Sequence, residues 1–291
     1  MKVLIVVISL FCCFLVKAQY ISKLIAFGES SQFYNPATTG ADECLSAMIG
    51  TKIQWVGLDG APTTNYFLVN TILKDRRMGL GVGLVNDRIG LYTNNSLRFS
   101  YAYRMVIEKG ILALGLNAGF QHLTYRFDQL SIINKMDPVY VYNNVNRWSP
   151  QFGVGLLYTR GGLKVGLSMP SIVNGISPSN MVSQIGYLTK LSDLHSVGAD
   201  VIYKTESNNN RSQIEFGAKY VFDDKILFGL GARQYGEFIL SFGYKPSKKW
   251  IIVYGYDFIS GNLKGRFAGS HEILLKYKLV EHIKSSSPRH F

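Results

Sequence analysis

Gln213-Ile214-Glu215-Phe216-Gly217-Ala218-Lys219-Tyr220-Val221-Phe222 reads as a ribbon with two unlike faces. Side chains of a β-strand point alternately to opposite sides. Ile214, Phe216, Ala218, Tyr220 and Phe222 therefore share one side, and Gln213, Glu215, Gly217 and Lys219 the other. A strand of about ten residues, apolar outward and polar inward, is the unit of a membrane barrel. The pattern recurs over 97–107, where Leu97, Phe99, Tyr101, Tyr103, Met105 and Ile107 alternate with Arg98, Ser100, Ala102 and Arg104. Over 267–279 the outward set is Phe267, Gly269, His271, Ile273, Leu275, Tyr277 and Leu279, against Ser270, Glu272, Lys276 and Lys278. Segments 195–204, 237–245 and 250–258 behave the same way. A soluble two-sheet sandwich also alternates, but its outer face is polar and its aromatic content lower.

Composition points the same way. Charged residues make up 17% of the 291 and aromatics 13%, with 18 Tyr, 17 Phe and 29 Gly. An average soluble domain is about 25% charged. Mean hydropathy is nevertheless only +0.09, far from a bundle of apolar helices. The net charge of +12 is spread singly along alternating segments. No run of five or more like charges forms a nucleic-acid patch, so nucleic acid is not an expected partner.

The first 18 residues form a leader: Met1-Lys2, an apolar run from Val3 to Val16, then Lys17-Ala18 before Gln19. A basic start, a short apolar core and a small final residue make a cleaved signal peptide, with Val16 and Ala18 at the −3 and −1 positions. The run is shorter than the roughly 20 residues of a spanning helix. Phe11 and Cys12 precede the two leader cysteines, where a lipoprotein signal has a small residue. Past the leader no apolar run is long enough to span as a helix, so a membrane location requires a closed barrel. Cys44 is the one cysteine of the mature chain and forms no internal disulfide. No base stands near it in sequence, and it reads as a small buried residue.

Turn signals count the strands. Thirteen stand out, near 47–56, 64–74, 78–86, 95–107, 111–122, 150–159, 163–170, 195–204, 212–222, 226–234, 237–245, 249–259 and 266–279. Bacterial single-chain barrels use even numbers, with short periplasmic turns and longer outer loops. Short connections fall at 75–77, 108–110, 160–162, 223–225 and 246–248, and longer ones at 57–63, 86–94, 123–149, 205–211 and 260–265. With thirteen strands the alternation of short and long breaks between 171 and 211, and a strand at 181–190, closed by Leu191-Ser192-Asp193-Leu194, restores it. Gln234-Tyr235-Gly236 is shorter than its outside position suggests. The expectation is an all-β, transmembrane antiparallel barrel of about 14 strands. Its divisions are the signal peptide 1–18, a periplasmic N-terminal segment 19–46, the barrel 47–279 and a polar tail 280–291. Both barrel termini are then periplasmic. The long outer connection at 123–149 holds Asp137-Pro138 and Tyr142-Asn143-Asn144-Val145-Asn146, an irregular surface loop of the kind that binds partners.

Three stretches are more particular than barrel physics requires. They are Asn35-Pro36-Ala37-Thr38-Thr39-Gly40; Gln54-Trp55-Val56-Gly57-Leu58-Asp59-Gly60-Ala61-Pro62-Thr63-Thr64; and Met78-Gly79-Leu80-Gly81 followed by Asn86-Asp87-Arg88-Ile89-Gly90 and Ser100-Tyr101-Ala102-Tyr103-Arg104. Together they resemble the PorP/SprF family of type IX secretion system membrane proteins, over the whole mature chain and in order. The resemblance implies an outer-membrane protein of Gram-negative bacteria that helps export or anchor a secreted, adhesin-like surface client. Its implied partners are that client and other secretion-system components, with outer-membrane lipid around the barrel. It implies no cofactor and no catalytic residues. The polar tail departs from a barrel-ending strand, which shifts an assembly signal from Phe291 to Tyr277 or Leu279.

Partner-binding candidates are Trp55, Asp59, Gly60 and Pro62 of the first outer loop, with Asp137, Asn143 and Asn144 of the long one. Asp59-Gly60 is a turn signal, and Pro62 fixes φ and removes a donor. A strand-end indole such as Trp55 suits the membrane interface. A rigid loop with an aromatic anchor accounts for the same residues without a partner. Catalysis needs a nucleophile, a base and an orienting group within reach. Ser270-His271-Glu272 fails that test, because alternation sends His271 to the face opposite Ser270 and Glu272. Gly79-Leu80-Gly81-Val82-Gly83 does not open a helix and is no phosphate loop. No His/Cys cluster has zinc spacing. The rival reading is an outer-membrane channel for small solutes. Arg98, Arg104, Glu215, Lys219, Glu272, Lys276 and Lys278 face inward and either line a basic pore or pair across a filled lumen. The mature protein is expected to begin at Gln19 and to shift its gel mobility on heating. An intact Met1 by N-terminal sequencing, or a helical far-ultraviolet spectrum, overturns this reading.

Overall fold

The computed structural model describes residues 24, 25, 29–73, 76–129, 144–172, 180–206, 211–234, 236–259 and 268–279. The leader 1–18, Asp137 and Asn143 of the long loop, and the tail 280–291 lie outside them.

In hydrocarbon no water satisfies a free strand edge, so a spanning sheet must close on itself. Fourteen antiparallel strands do so in sequence order, and β1 meets β14. The first seven are β1 (Leu45–Ile53), β2 (Thr63–Ile72), β3 (Met78–Ile89), β4 (Tyr92–Ile107), β5 (Gly110–Tyr125), β6 (Val145–Arg160) and β7 (Leu163–Ile172). The rest are β8 (Asn180–Lys190), β9 (His195–Glu206), β10 (Arg211–Phe222), β11 (Ile226–Arg233), β12 (Glu237–Ser247), β13 (Trp250–Ile259) and β14 (Ser270–Leu279). The closing seam runs from Leu45 opposite Leu279 to Ile53 opposite His271 without a register shift. The strand inferred from loop parity is β8. An even strand number brings the start of β1 and the end of β14 to one end of the barrel, with the short turns at 73–77, 108–109, 161–162, 191–194, 223–225 and 248–249. The β3–β4 and β11–β12 turns, also short, lie at the other end.

The faces follow the alternation. In β10 Phe216 is 53% exposed and Glu215 only 4%. In β4 Phe99 is 52% exposed, whereas Arg98 and Ala102 are buried. The long-loop end differs from expectation. β3 continues to Ile89, turns through Gly90-Leu91 and returns as β4 from Tyr92, while β5 and β6 extend to Tyr125 and from Val145. The segments 86–94 and 123–149 are therefore partly strand. Their outward residues turn polar there: Thr51 Oγ1 donates to Asn65 Oδ1 at 2.8 Å, and Asn86 Nδ2 to Asn95 Oδ1 at 2.7 Å. The ladder persists after the apolar alternation that signals it has stopped. β1, by contrast, ends at Ile53, because Trp55 takes a left-handed φ of 48°.

The lumen is filled. Residues 29–44, with the one-turn helix α1 (Ser31–Tyr34) and a tight helical turn Pro36–Thr38, run inside the barrel. Their partners lie on β2, β4, β6, β7, β10 and β14. The stretch expected in the periplasm ahead of the barrel thus has its described part in the lumen, because apolar inward residues there need an apolar partner.

A substitution tests the register. Arginine at a lipid-facing mid-strand position costs about 2–4 kcal/mol, whereas Lys219→Ala removes one ion pair, 3.7 Å long, to Glu29. Phe216→Arg should lower the fraction of heat-modifiable barrel in the membrane well below that of Lys219→Ala. Equal losses, or the reverse order, contradict the assigned faces.

Candidate functional site

The plug is held at its centre by apolar packing. Leu24, Phe33 and Tyr34 share a buried cluster with Met48, Tyr66, Leu68, Val85, Val182, Ile202, Ile251, Val253 and Leu274. The last nine are inward-facing strand residues. Phe33 lies edge-on to both Tyr34 and Tyr66, with ring centroids 5.1 and 6.0 Å apart. Arg98 sits 5.2 Å from the Phe33 ring centre and Lys204 4.2 Å from that of Tyr34. Such cations over aromatic faces are attracted by the ring quadrupole. Burial pushes the Tyr34 phenol pKa up, so it stays protonated. Its oxygen accepts from the Leu24 N–H at 2.7 Å.

Around this centre lies a ring of buried charge. The Arg233 side chain is wholly buried. Its Nε donates to Glu215 Oε2 at 2.5 Å, its Nη1 to Asp257 Oδ2 at 3.3 Å, and its Nη2 to the Leu24 carbonyl at 2.9 Å. Lys52 Nζ reaches the same Asp257 oxygen at 2.8 Å. Glu272 accepts from Tyr66 Oη at 2.8 Å and from the backbone N–H of Ile25. All seven inward charges read from the sequence are engaged. Glu215 meets Arg233, and the other six meet the plug: Arg98 at the Phe33 carbonyl, Arg104 at the Gly40 carbonyl and Glu43, Glu272 at Ile25, and the three lysines at Glu29 or Asp42.

The first quoted motif is the plug itself. Asn35 caps the tight turn, its Oδ1 accepting from Ala37 N–H at 2.9 Å, and its Nδ2 donates to the Leu156 carbonyl at 3.1 Å. The wall opposite is thinned to admit it. A Cβ on Gly115 would come within 2.1 Å of the Ala37 nitrogen, and one on Gly79 within 2.2 Å of the Thr39 carbonyl. The sequence marked Asn35–Gly40 and Gly79 as distinctive without placing them in the lumen, although residues 250–253, apolar on both faces, signal something apolar inside.

At the long-loop end, Trp55, Asp59, Gly60 and Pro62 form one loop stitched to both neighbours. Val56 exchanges backbone hydrogen bonds with Gly269 and Ala268, each 2.8 Å, and Gly90 N–H donates to the Gly60 carbonyl at 2.9 Å. Asp59 and Gly60 are exposed, Trp55 half-buried and Pro62 buried. Asn144 is exposed at the foot of β6, where its Oδ1 accepts from Asp128 N–H at 3.1 Å. It does not touch the first loop, but Leu91 accepts from Arg126 N–H at 3.2 Å and makes the rim continuous between them. As alternation requires, Ser270 and Glu272 point inward while His271 faces out, bonded to the Tyr254 hydroxyl at 2.7 Å. Among the described residues no group of His, Cys, Asp or Glu is arranged to hold a metal. Cys44, expected to be buried, is half-buried, and burial followed by the Asp42 charge raises its thiol pKa.

The short-turn end is electrostatic. Lys276 Nζ lies 2.9 Å from Asp42 and 3.5 Å from Glu29, and Lys278 Nζ 2.7 Å from Asp42. Burial alone would raise both carboxyl pKa values, but the lysines outweigh it and hold Glu29 and Asp42 at about 2. Depressed carboxylates stabilise above their ordinary pKa, and that contribution fades as pH falls towards the folded value. The stability they add should be complete above about pH 4.5 and lost by about pH 2. Thermal unfolding of detergent-solubilised protein, followed across that window, should fall with pH less steeply in the Glu29→Gln, Asp42→Asn double variant. An unchanged slope contradicts the assignment.

Comparison with known proteins places this architecture. The structure resembles the CymD monoaromatic hydrocarbon channel, with a TM-score of 0.56 at 15% identity over 90% of this chain and 96% of that one. It also resembles the Ralstonia pickettii toluene transporter TbuX, with a TM-score of 0.57 at 14% identity over 86% and 93%. At such identities the likeness is one of fold, that of an outer-membrane barrel. No curated protein sequence matches the chain. A family model described as type IX secretion system membrane protein PorP/SprF matches residues 16–277, which include all three quoted stretches. This outer-membrane barrel belongs to the PorP/SprF family of type IX secretion system membrane proteins.

Proposed function

We propose that this protein is a non-enzymatic component of type IX secretion that holds a secreted, adhesin-like client and helps export it or anchor it at the surface. The short-turn end, with both barrel termini, faces the periplasm, and the rim built from residues 54–62, 90–91 and 126–128 faces outward. Trp55, Asp59, Gly60 and Pro62 of that rim, together with Asp137, Asn143 and Asn144 of the long connection, are the client-facing candidates.

The filled lumen carries this reading over that of a solute channel. A diffusion pore needs a water-filled path, and here the axis is occupied by Phe33, Tyr34 and the buried Arg233 cluster. The family supports a secretion role, and the likeness to the two hydrocarbon-transport proteins is one of fold alone. Antiparallel barrels serve many functions, so function has to be argued from the site.

Loss of the protein should abolish surface display of a client while leaving uptake of small solutes unchanged. Combined replacement of Asp137, Asn143 and Asn144 by Ala should leave the barrel heat-modifiable and reduce that display. Purified protein in planar bilayers should conduct little, and deletion of residues 24–44 should raise the conductance several-fold. Display that persists without the protein, or solute uptake that falls with it, overturns the proposal. A high conductance with the plug intact restores the channel reading.

A further inference from the structure

The end of the barrel that carries the short turns opens into a cavity of about 270 Å³ between the plug and the wall. Five lysines line it, from four strands: Lys164 of β7, Lys219 of β10, Lys245 of β12, and Lys276 and Lys278 of β14. The acids facing them are three: Glu29 and Asp42 of the plug and Asp224 of the β10–β11 turn. Three lysines are engaged by the plug acids. Lys164 and Lys245 make no ion pair among the described residues. Both point inward by the alternation of their strands, beside the buried Gly166 and Gly243.

Like charges gathered in a recess raise its potential and concentrate anions there. A wall of five ammonium groups against three carboxylates has room for further negative charge. The occupants already present indicate which kind. They are two side-chain carboxylates on a short peptide segment of turns, and the lysines have drawn both below their ordinary pKa. The volume lies just under the roughly 300–1,000 Å³ of small-molecule pockets. That suits a short stretch of chain, not a folded domain.

The geometry points to this vestibule as a binding site for an acidic peptide segment, whose carboxylates are taken by Lys164 and Lys245 beside the plug. The site deepens the secretion reading and rests on it for the origin of the peptide, a polypeptide arriving from the periplasmic end. Binding there has a consequence for the plug. Lys219, Lys276 and Lys278 hold Glu29 and Asp42 within 2.7–3.7 Å, and a second acidic chain competes for the same cations.

The test uses the full mature protein in detergent and a fluorescent hexaglutamate peptide, with hexaglutamine and inorganic phosphate as comparison ligands. Hexaglutamate should bind, weaken as salt rises, and lose at least tenfold in affinity in the Lys164→Gln, Lys245→Gln double variant. Lys109→Gln, on the same rim outside the cavity, should leave binding unchanged. Heat modifiability confirms that each variant is folded. Absence of hexaglutamate binding, equal binding of hexaglutamine, or affinity unaltered in the double variant overturns the site. Displacement of hexaglutamate by phosphate at equal charge overturns its assignment to peptide. Client display in cells separates the two proposals. A double variant that binds no hexaglutamate yet displays client normally removes the vestibule from secretion. Display independent of the whole protein removes the secretion reading and leaves the peptide site standing.

Discussion

The guanidinium of Arg233 has no contact with water, and an arginine cannot shed its proton to escape the cost. It must be bonded on every side, and it is: Glu215 from β10, Asp257 from β13, Glu237 from β12 and the carbonyl of Leu24. Lys52 from β1 joins through Asp257. Leaving one such partner unmatched typically costs about 3–5 kcal/mol. The wall and the plug are therefore coupled. If residues 24–25 withdraw, Arg233 loses one acceptor and Glu272 loses the N–H of Ile25. The strand hydrogen bonds fix where the wall runs, but the buried charges fix what lies inside it.

The same coupling accounts for the three sequence stretches that barrel physics alone did not require. They lie against one another. Arg104, closing the Tyr-rich stretch, donates to the carbonyl of Gly40, which closes the Asn35–Gly40 stretch. Gly79, from the glycine-rich part, admits the Thr39 carbonyl. At the other end Thr64 donates to Asp87, and Gly60 accepts from Gly90. Two requirements emerge from these contacts. One is a wall thin enough for an internal segment; the other is a β1–β2 loop locked to the β3–β4 hairpin. Neither is a lipid-facing property, so neither is visible in the apolar alternation.

That division explains what was legible in the sequence. Period-two alternation reports the lipid boundary, and the fourteen strands, their faces and even the weak strand β8 follow from it together with loop parity. It fails where the boundary ends. Beyond Asn86 and Asn95 the outward residues are polar, and strand there looks like loop. It also says nothing about what fills the interior. Arg98, Arg104, Lys276 and Lys278 were recognisable as inward charges, but their partners sit fifty or more residues away, on a segment with no alternation of its own. Of the proposed rim residues, Trp55 to Pro62 were legible as a rigid turn. Their anchoring to Gly269 and Gly90 depends on barrel closure, which no local pattern encodes.

The centre of the plug and its short-turn end are held by different physics, and this makes the two ends of the barrel unlike. Towards the centre the segment is secured by apolar packing of Phe33 and Tyr34 and by charges shut away from solvent. Those contacts are insensitive to salt, since buried pairs are screened little. At the short-turn end Glu29 and Asp42 are held by lysines that border an open cavity. Such pairs exchange with other anions and weaken as ions enter. A plug packed in the middle and held by ion pairs beside the cavity has its most exchangeable contacts at the short-turn end. Any partner that supplies carboxylates there meets the part of the plug held by exchangeable pairs, while the opposite rim is braced by the first loop and the β3–β4 hairpin.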